Sequence, residues 1–209
     1  MNYIEALQRR YSVKKFDNQR IVPQEKLLSI LEAGKLAASS LGLQPYRMVI
    51  VESKEMKEKL ISAYYNPSQI STCSHLIVLI SKKNIETHYV DGYFRHISEV
   101  RAQDSESLQP FRKNINQFID SLEIDTSLHW AEKQAYIVLG NLMFASALEQ
   151  VDTCPMEGFK QDIIDHLLEI DTQKEKVSVT LAIGYRAEDD SFQQMKKVRK
   201  PDEKIFKFL

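Results

Sequence analysis

Arg10, Ser12 and Lys14 stand at alternate positions of the run Arg9-Arg10-Tyr11-Ser12-Val13-Lys14-Lys15-Phe16. In an extended segment this spacing puts those three on one side and Tyr11, Val13 and Lys15 on the other. A guanidinium, a hydroxyl and an ammonium with no carboxylate among them suit a phosphate or an anionic ring edge; a solvated basic turn is the other reading of the same residues. Lys197 and Arg199 repeat the i, i+2 relation in Met195-Lys196-Lys197-Val198-Arg199-Lys200-Pro201, where Pro201 stiffens the chain beyond it. Without a partner that run reads as a floppy basic tail. A third segment, Cys154-Pro155-Met156-Glu157-Gly158-Phe159, reads as a turn in which Gly158 frees the backbone just before a helix. Such a turn offers backbone N–H groups to an electron-rich acceptor, or simply joins two helices.

These segments need a scaffold. Asn2-Tyr3-Ile4-Glu5 has the form of a capping box and predicts a short helix to about Arg10. Pro23 at a first helical position, followed by Leu27, Leu28, Leu31, Ala33 and Leu36, predicts an amphipathic helix ending near Ser39-Ser40, broken by Gly42 and Pro45. Three β-type runs come after it, at 46–51, 75–81 and 177–185. The second is continuously apolar, as in a strand buried on both faces. Between the second and third lie charged helices over 85–124 and an apolar helix over 130–150, and few strands with large helical insertions indicate an α+β fold. The apolar helix leaves little polar surface; it must be buried, and its small residues suit close approach of another helix, as at a dimer interface.

The 209 residues fit one domain spanning 1–209, with 43% apolar and 27% charged residues, no repeat and no linker-like run. Twenty-eight basic residues against 29 acidic ones give a net charge of −1, which will not attract nucleic acid or an anionic membrane. No apolar run reaches the length of a bilayer span, and the charged N-terminus lacks a signal-peptide pattern. Two distant cysteines, Cys73 and Cys154, suit a reducing cytoplasm. His75, His88, His96, His129 and His166 show no metal-type spacing, and no metal site is expected. G-x-G-x-x-G, G-x-x-x-x-G-K-[ST], H-E-x-x-H and G-x-S-x-G are all absent.

R-x-S-x-K at Arg10-Ser12-Lys14 is followed by Ser39-Ser40, by Gln44-Pro45-Tyr46 entering the first strand, and by Asn66 nine residues ahead of His75. Pro155-Met156-Glu157-Gly158-Phe159 and Lys197-x-Arg199-x-Pro201 complete the series. In this order, over nearly the whole chain, they resemble the nitroreductase family of FMN-dependent NAD(P)H oxidoreductases. The resemblance implies an antiparallel sheet wrapped by helices in an intertwined homodimer, with two FMN sites at the interface, each drawing on both chains. It implies that Arg10, Ser12, Lys197 and Arg199 hold the phosphate and ribityl chain, with Tyr11 and Pro155 in the same site. Lys14 would sit by the flavin N1/O2 edge, where a fixed ammonium raises the reduction potential, and the Glu157-Gly158 turn would place a backbone N–H near N5. Asn66 and Gln69 would face the ring, with Ser39 and Ser40 reaching in from the partner chain and Gln134 on the buried helix.

Tyr11 and Gln69 replace a histidine and a lysine of the enteric members, and Leu41-Gly42-Leu43 replaces a more polar stretch. The implied reaction is ping-pong: NADH or NADPH gives hydride to flavin N5, and a flat, electron-poor acceptor such as a nitroaromatic or quinone then takes the electrons. A same-fold flavin enzyme acting on another substrate, such as an enone, and a flavin-binding redox protein without turnover are the alternatives.

Overall fold

The computed structural model describes residues 2–209. Asn2 opens α1 (Tyr3–Arg9) as a capping box: its side chain accepts from Glu5 N at 3.0 Å while the Glu5 carboxylate accepts from Asn2 N at 3.1 Å. Two donors that the first turn leaves free are thereby satisfied. Pro23 is the cap of α2 (Gln24–Lys35) rather than its first residue, and the helix stops short of Ser39-Ser40. Leu41, Gly42 and Gln44 follow with φ of 59°, 72° and 45°, left-handed values that no right-handed helix can carry on.

The strands are β1 (Tyr46–Val51), β2 (His75–Lys82), β3 (Asp152–Met156) and β4 (Glu175–Gly184), all antiparallel in the order β1-β2-β4-β3. The helices between them are α3 (Lys54–Leu60), α4 (Pro67–Thr72), α5 (Thr87–Arg101), α6 (Gln109–Asp120), α7 (Ile124–Leu148) and α8 (Gln161–Leu167). The α+β expectation holds, with one correction: residues 154–156, read from sequence as part of a turn, are strand. Pro155 hides them, because it has no N–H for a ladder; it is tolerated on an edge strand laddered to β4.

β2 is buried on both faces, as its sequence predicts. Leu76, Val78 and Ile80 join Leu60, Ile70 and Ile164 under α3, α4 and α8, while Ile77 and Leu79 join Leu27, Ile30 and Leu142 under α2 and α7. On β4 the alternation breaks: Val179, Leu181 and Ile183 face α7, whereas Val177 faces the other way. A bulge between Leu79 and Ile80 supplies the reason, since one unpaired residue, Ser178, inverts the parity of everything before it. Each fully buried Leu or Ile here contributes about 1.5–3 kcal/mol.

The apolar helix runs from Ile124, six residues earlier than the sequence indicates. It buries Ala131, Ala135, Val138 and Leu142. The approach of α2 is close enough that a Cβ on Gly34 would lie 2.6 Å from Leu142 Cδ2. Burial all round is not what is found: Tyr136, Ile137, Phe144 and Leu148 are each about two-fifths exposed on its outer face (38–44%). α5 and α6 pack on each other through Phe94, Ile97, Leu108 and Ile115, with Leu43 at the base. Among the described residues, no helix is long and apolar enough to cross a membrane.

Candidate functional site: a cationic cleft on the outer edge of the sheet

The segment after α1 crosses the outer edge of β3. Ser12 bridges Thr153, Val13 N donates to Thr153 O at 3.2 Å, and Phe16 bridges Arg186. Val13 and Phe16 are buried and act as pegs. Alongside them Arg10, Ser12 and Lys14 line a cleft of about 600 Å³, closed on the far side by Phe192, Met195, Lys197 and Arg199. Two basic segments nearly 200 residues apart in sequence thus face one space, a size ordinary for small-molecule sites. Tyr11 lines the cleft as well, although strict alternation puts it opposite; the segment pairs through single bridges and is not a regular strand.

Two buried carboxylates that carry no sequence signal hold this arrangement. Asp190 is 3% exposed and accepts three backbone N–H groups, from Lys14 at 2.7 Å and Lys15 at 2.8 Å on one oxygen and from Phe192 at 2.9 Å on the other. It fastens the R-x-S-x-K segment to the start of the C-terminal tail. Burial alone raises its pKa, but the three N–H donors outweigh that and leave it below the usual aspartate value. Asp152, also buried, accepts from Arg186 Nε at 3.0 Å and Nη2 at 2.5 Å and from Arg186 N at 3.0 Å. The Arg186 guanidinium lies 4.6 Å from the Tyr11 ring centre. The fork to Asp152 raises its pKa against the cost of burial.

Asp190 is thus occupied by backbone amides and Asp152 by Arg186, with Arg9 at 3.9 Å, and among the described residues Arg10, Lys14, Lys197 and Arg199 pair with no carboxylate. Burial lowers the pKa of Arg10, and the like charge of Arg199 lowers it further. Burial also lowers Lys197, followed by Arg10, Arg199 and Arg186. Lys197 Nζ donates to the carbonyls of Leu7 and Arg10 at the end of α1, and Arg199 donates to Val198 O at 2.6 Å. Arg10 Nε is buried without a partner among the described residues. Cations that repel one another and keep unused donors would be relieved by an anionic ligand.

The ring-side candidates follow β3 along its length. Cys154 lies 4.0 Å from Gln69 Nε2, and Gln69 Oε1 is buried without a partner among the described residues. Beyond Pro155, Glu157 Oε1 accepts from Tyr136 Oη at 2.5 Å, a tether from α7 that the sequence does not suggest. Gly158 O accepts from Tyr65 N at 3.2 Å, which sets the turn beside Asn66 at the cap of α4. Of the candidates, Arg10, Tyr11, Ser12, Lys14, Lys197 and Arg199 line the cleft, whereas Ser39, Ser40, Asn66, Gln69, Gln134, Pro155, Glu157 and Gly158 do not. Gln134 is buried on α7, where Oε1 accepts from Ser40 N at 2.8 Å and Nε2 donates to Trp130 O at 3.0 Å. Its oxygen holds the Ser39-Ser40 loop, and its amide nitrogen is turned back onto its own helix.

A four-stranded antiparallel sheet wrapped by helices, with a cation-lined cleft at its outer edge, defines the fold class. Similarity to known proteins makes it specific. The profile described as the Nitroreductase family matches residues 7–185. A Staphylococcus haemolyticus protein provisionally named NAD(P)H nitroreductase is 34% identical over 217 residues, covering 99% of this chain and 96% of its own. Among solved structures, a provisionally named nitroreductase from Exiguobacterium sibiricum, in complex with FMN, superposes with a TM-score of 0.86 at 21% identity, over 100% of this chain and 98% of that one. A gut-bacterial enone reductase of fatty acid saturation superposes at 0.84 with 18% identity, over 100% and 98%. The chain belongs to the nitroreductase family.

Proposed function

We propose that this protein is an FMN-dependent NAD(P)H oxidoreductase that reduces flat, electron-poor acceptors such as nitroaromatics and quinones, and that it works as a homodimer. The cluster of cations without carboxylate partners at Arg10, Lys14, Lys197 and Arg199 carries the reading. FMN fits this donor set: a phosphate dianion answers the burial and mutual repulsion that lower Arg10 and Lys197, Ser12 suits the ribityl hydroxyls, and the free Gln69 Oε1 is an acceptor for an imide N–H. When bound, FMN supplies hydride exchange between a nicotinamide and the second substrate.

The chain's own part is positioning and charge. Arg10, Lys197 and Arg199 bind the phosphate. Lys14, its backbone fixed by Asp190, holds an ammonium toward the ring edge that gains negative charge on reduction, and so favours the reduced state. The Glu157-Gly158 turn, tied by Tyr136 and Tyr65, offers a backbone N–H to the reactive edge. No side chain needs to act as a general acid. The exposed apolar face of α7 is the surface that a second chain covers, and Ser39 and Ser40 serve the partner's site.

The test is an absorption spectrum of the purified protein, followed by anaerobic NADH and then by a nitroaromatic, a quinone or an enone. A yellow protein bleached by NADH and reoxidised by an acceptor supports the reading, and the acceptor that turns over defines the substrate class. A colourless protein that neither takes up FMN nor oxidises NADH overturns it.

A further inference from the structure

The loop over residues 39–44 is strained and gripped from several sides at once. Leu41 and Gln44 hold left-handed φ values of 59° and 45°, with Gly42 at 72° between them, conformations that persist only where the surroundings over-determine them. Ser39 Oγ accepts from Gln44 N at 3.1 Å, Gln134 Oε1 accepts from Ser40 N at 2.8 Å, and Gln44 Nε2 donates to Lys35 O at 2.9 Å. The remaining grip comes from α5. Tyr93 Oη donates to Leu41 O at 2.9 Å, and Tyr89 Oη shares its proton between Leu43 O at 2.9 Å and Gln44 O at 2.7 Å. A Cβ on Gly42 would lie 2.5 Å from Tyr93 Oη, so loop backbone and hydroxyl are fitted to each other.

We propose that Tyr89 and Tyr93 are positioning residues for the cofactor, acting through the 39–44 loop without touching FMN themselves. The inference rests on the proposed function, in which Ser39 and Ser40 reach the partner's FMN; it adds that α5 sets where those two hydroxyls stand. Burial pushes the Tyr89 phenol up to about 12 and raises Tyr93 as well, so both remain donors at any working pH. Neither hydroxyl lines the cationic cleft. Packing alone would be met by phenylalanine at both positions, so the hydroxyls report a demand on the loop's exact path rather than on its burial.

The experiment compares wild type, Tyr93→Phe, Gly42→Ala and the double variant in the full-length protein. Three readouts are taken: hydrogen–deuterium exchange over residues 39–44, the FMN dissociation constant by fluorescence quenching, and acceptor KM against kcat. Tyr93→Phe keeps the ring and removes one hydrogen bond. Loop exchange should rise, and FMN affinity should fall about fivefold, the effect of one ordinary hydrogen bond. Acceptor KM should rise while kcat stays near the wild-type value.

Gly42→Ala should weaken FMN binding more than Tyr93→Phe does, and its effect should shrink in the Tyr93→Phe background, because the atom its Cβ strikes is gone and the next, Tyr93 Cζ, is 3.4 Å away. Additive effects, or raised loop exchange with unchanged FMN affinity and KM, overturn the positioning role alone. A wild-type protein that binds no FMN overturns the proposed function and this role with it.

Discussion

Asp190→Asn isolates the carboxylate that joins the two halves of the cleft. One Asp190 oxygen serves Lys14 N and Lys15 N, while the other serves Phe192 N. Asparagine has one acceptor oxygen. If it keeps the Lys14-Lys15 pair, its NH2 group faces the N–H of Phe192, and the tail carrying Lys197 and Arg199 comes loose. The substitution removes at least one hydrogen bond to a charged acceptor, at about 1.5–3 kcal/mol, and weakens the others. For a domain of this size that lowers Tm by roughly 4–10 °C. Losing the fixed placement of a cation proposed to bind the phosphate should weaken FMN binding about 10- to 100-fold.

Differential scanning fluorimetry and FMN titration measure both effects. The neighbouring Asp189 provides the control: its carboxylate is 66% exposed and pairs with the half-exposed Lys15. Such surface pairs are worth about 0–1 kcal/mol, so Asp189→Asn should leave Tm and FMN affinity near wild type. Equal behaviour of the two variants would refute the argument from burial and three converging donors. Because the folded-state pKa of Asp190 lies below the usual 3.8, its stabilisation is complete above that value and disappears as pH falls through the folded pKa.

Lys14→Ala should lower the flavin midpoint potential and slow reduction by NADH, measured by redox titration and stopped flow; an unchanged potential removes Lys14 from the ring edge. If, as proposed, each site draws on both chains of a homodimer, mixing a chain carrying Arg10→Ala and Arg199→Ala with one carrying Ser40→Trp should restore about one FMN per mixed dimer where neither homodimer binds any; mixed dimers without FMN would place Ser40 in its own chain's site. Gly34→Ala must displace Leu142 Cδ2 from 2.6 Å and should cost about 1–3 kcal/mol by thermal melts. His75 is held below its ordinary 6.5 mainly by burial, with Lys57 adding to the effect and Glu52 opposing it. The unfolded chain therefore binds more protons below about pH 6.5, stability should fall from there downward, and His75→Gln should flatten that limb of a Tm–pH curve.

The elements legible in the sequence are those whose signal is local. The capping box at Asn2 and the unbroken apolar run of β2 depend on neighbours within a few residues, and both appear where the sequence puts them. β3 escapes a sequence reading because Pro155 is a breaker unless the strand lies at an edge, and edge position is a property of the whole sheet. The outer face of α7 is misjudged for a related reason: composition shows that a helix is apolar all round, not which neighbour covers each side. The early end of α2 is hidden because Leu36 to Ser40 contains no strong breaker, and the strain at Leu41 and Gln44 is imposed from α5 and α7.

The site divides along the same line. Its cations announce themselves, because Arg10, Lys14, Lys197 and Arg199 recur at i, i+2 and i+4 spacings near the two ends of the chain. The acids that organise them do not: Asp152 stands in an apolar edge strand, and Asp190 closes the acidic triplet Glu188-Asp189-Asp190, which reads as solvated surface. Their partners are Arg186 and the amides of Lys14, Lys15 and Phe192, and only the fold makes those contacts. The division has a chemical logic. A cleft crowded with arginine and lysine could not stay assembled without negative charge, but a carboxylate facing Arg10, Lys14 and Arg199 would compete with any anionic ligand. By committing both carboxylates to backbone amides and to Arg186, the fold holds the cleft together and leaves the charge of Arg10, Lys14 and Arg199 available to what binds there.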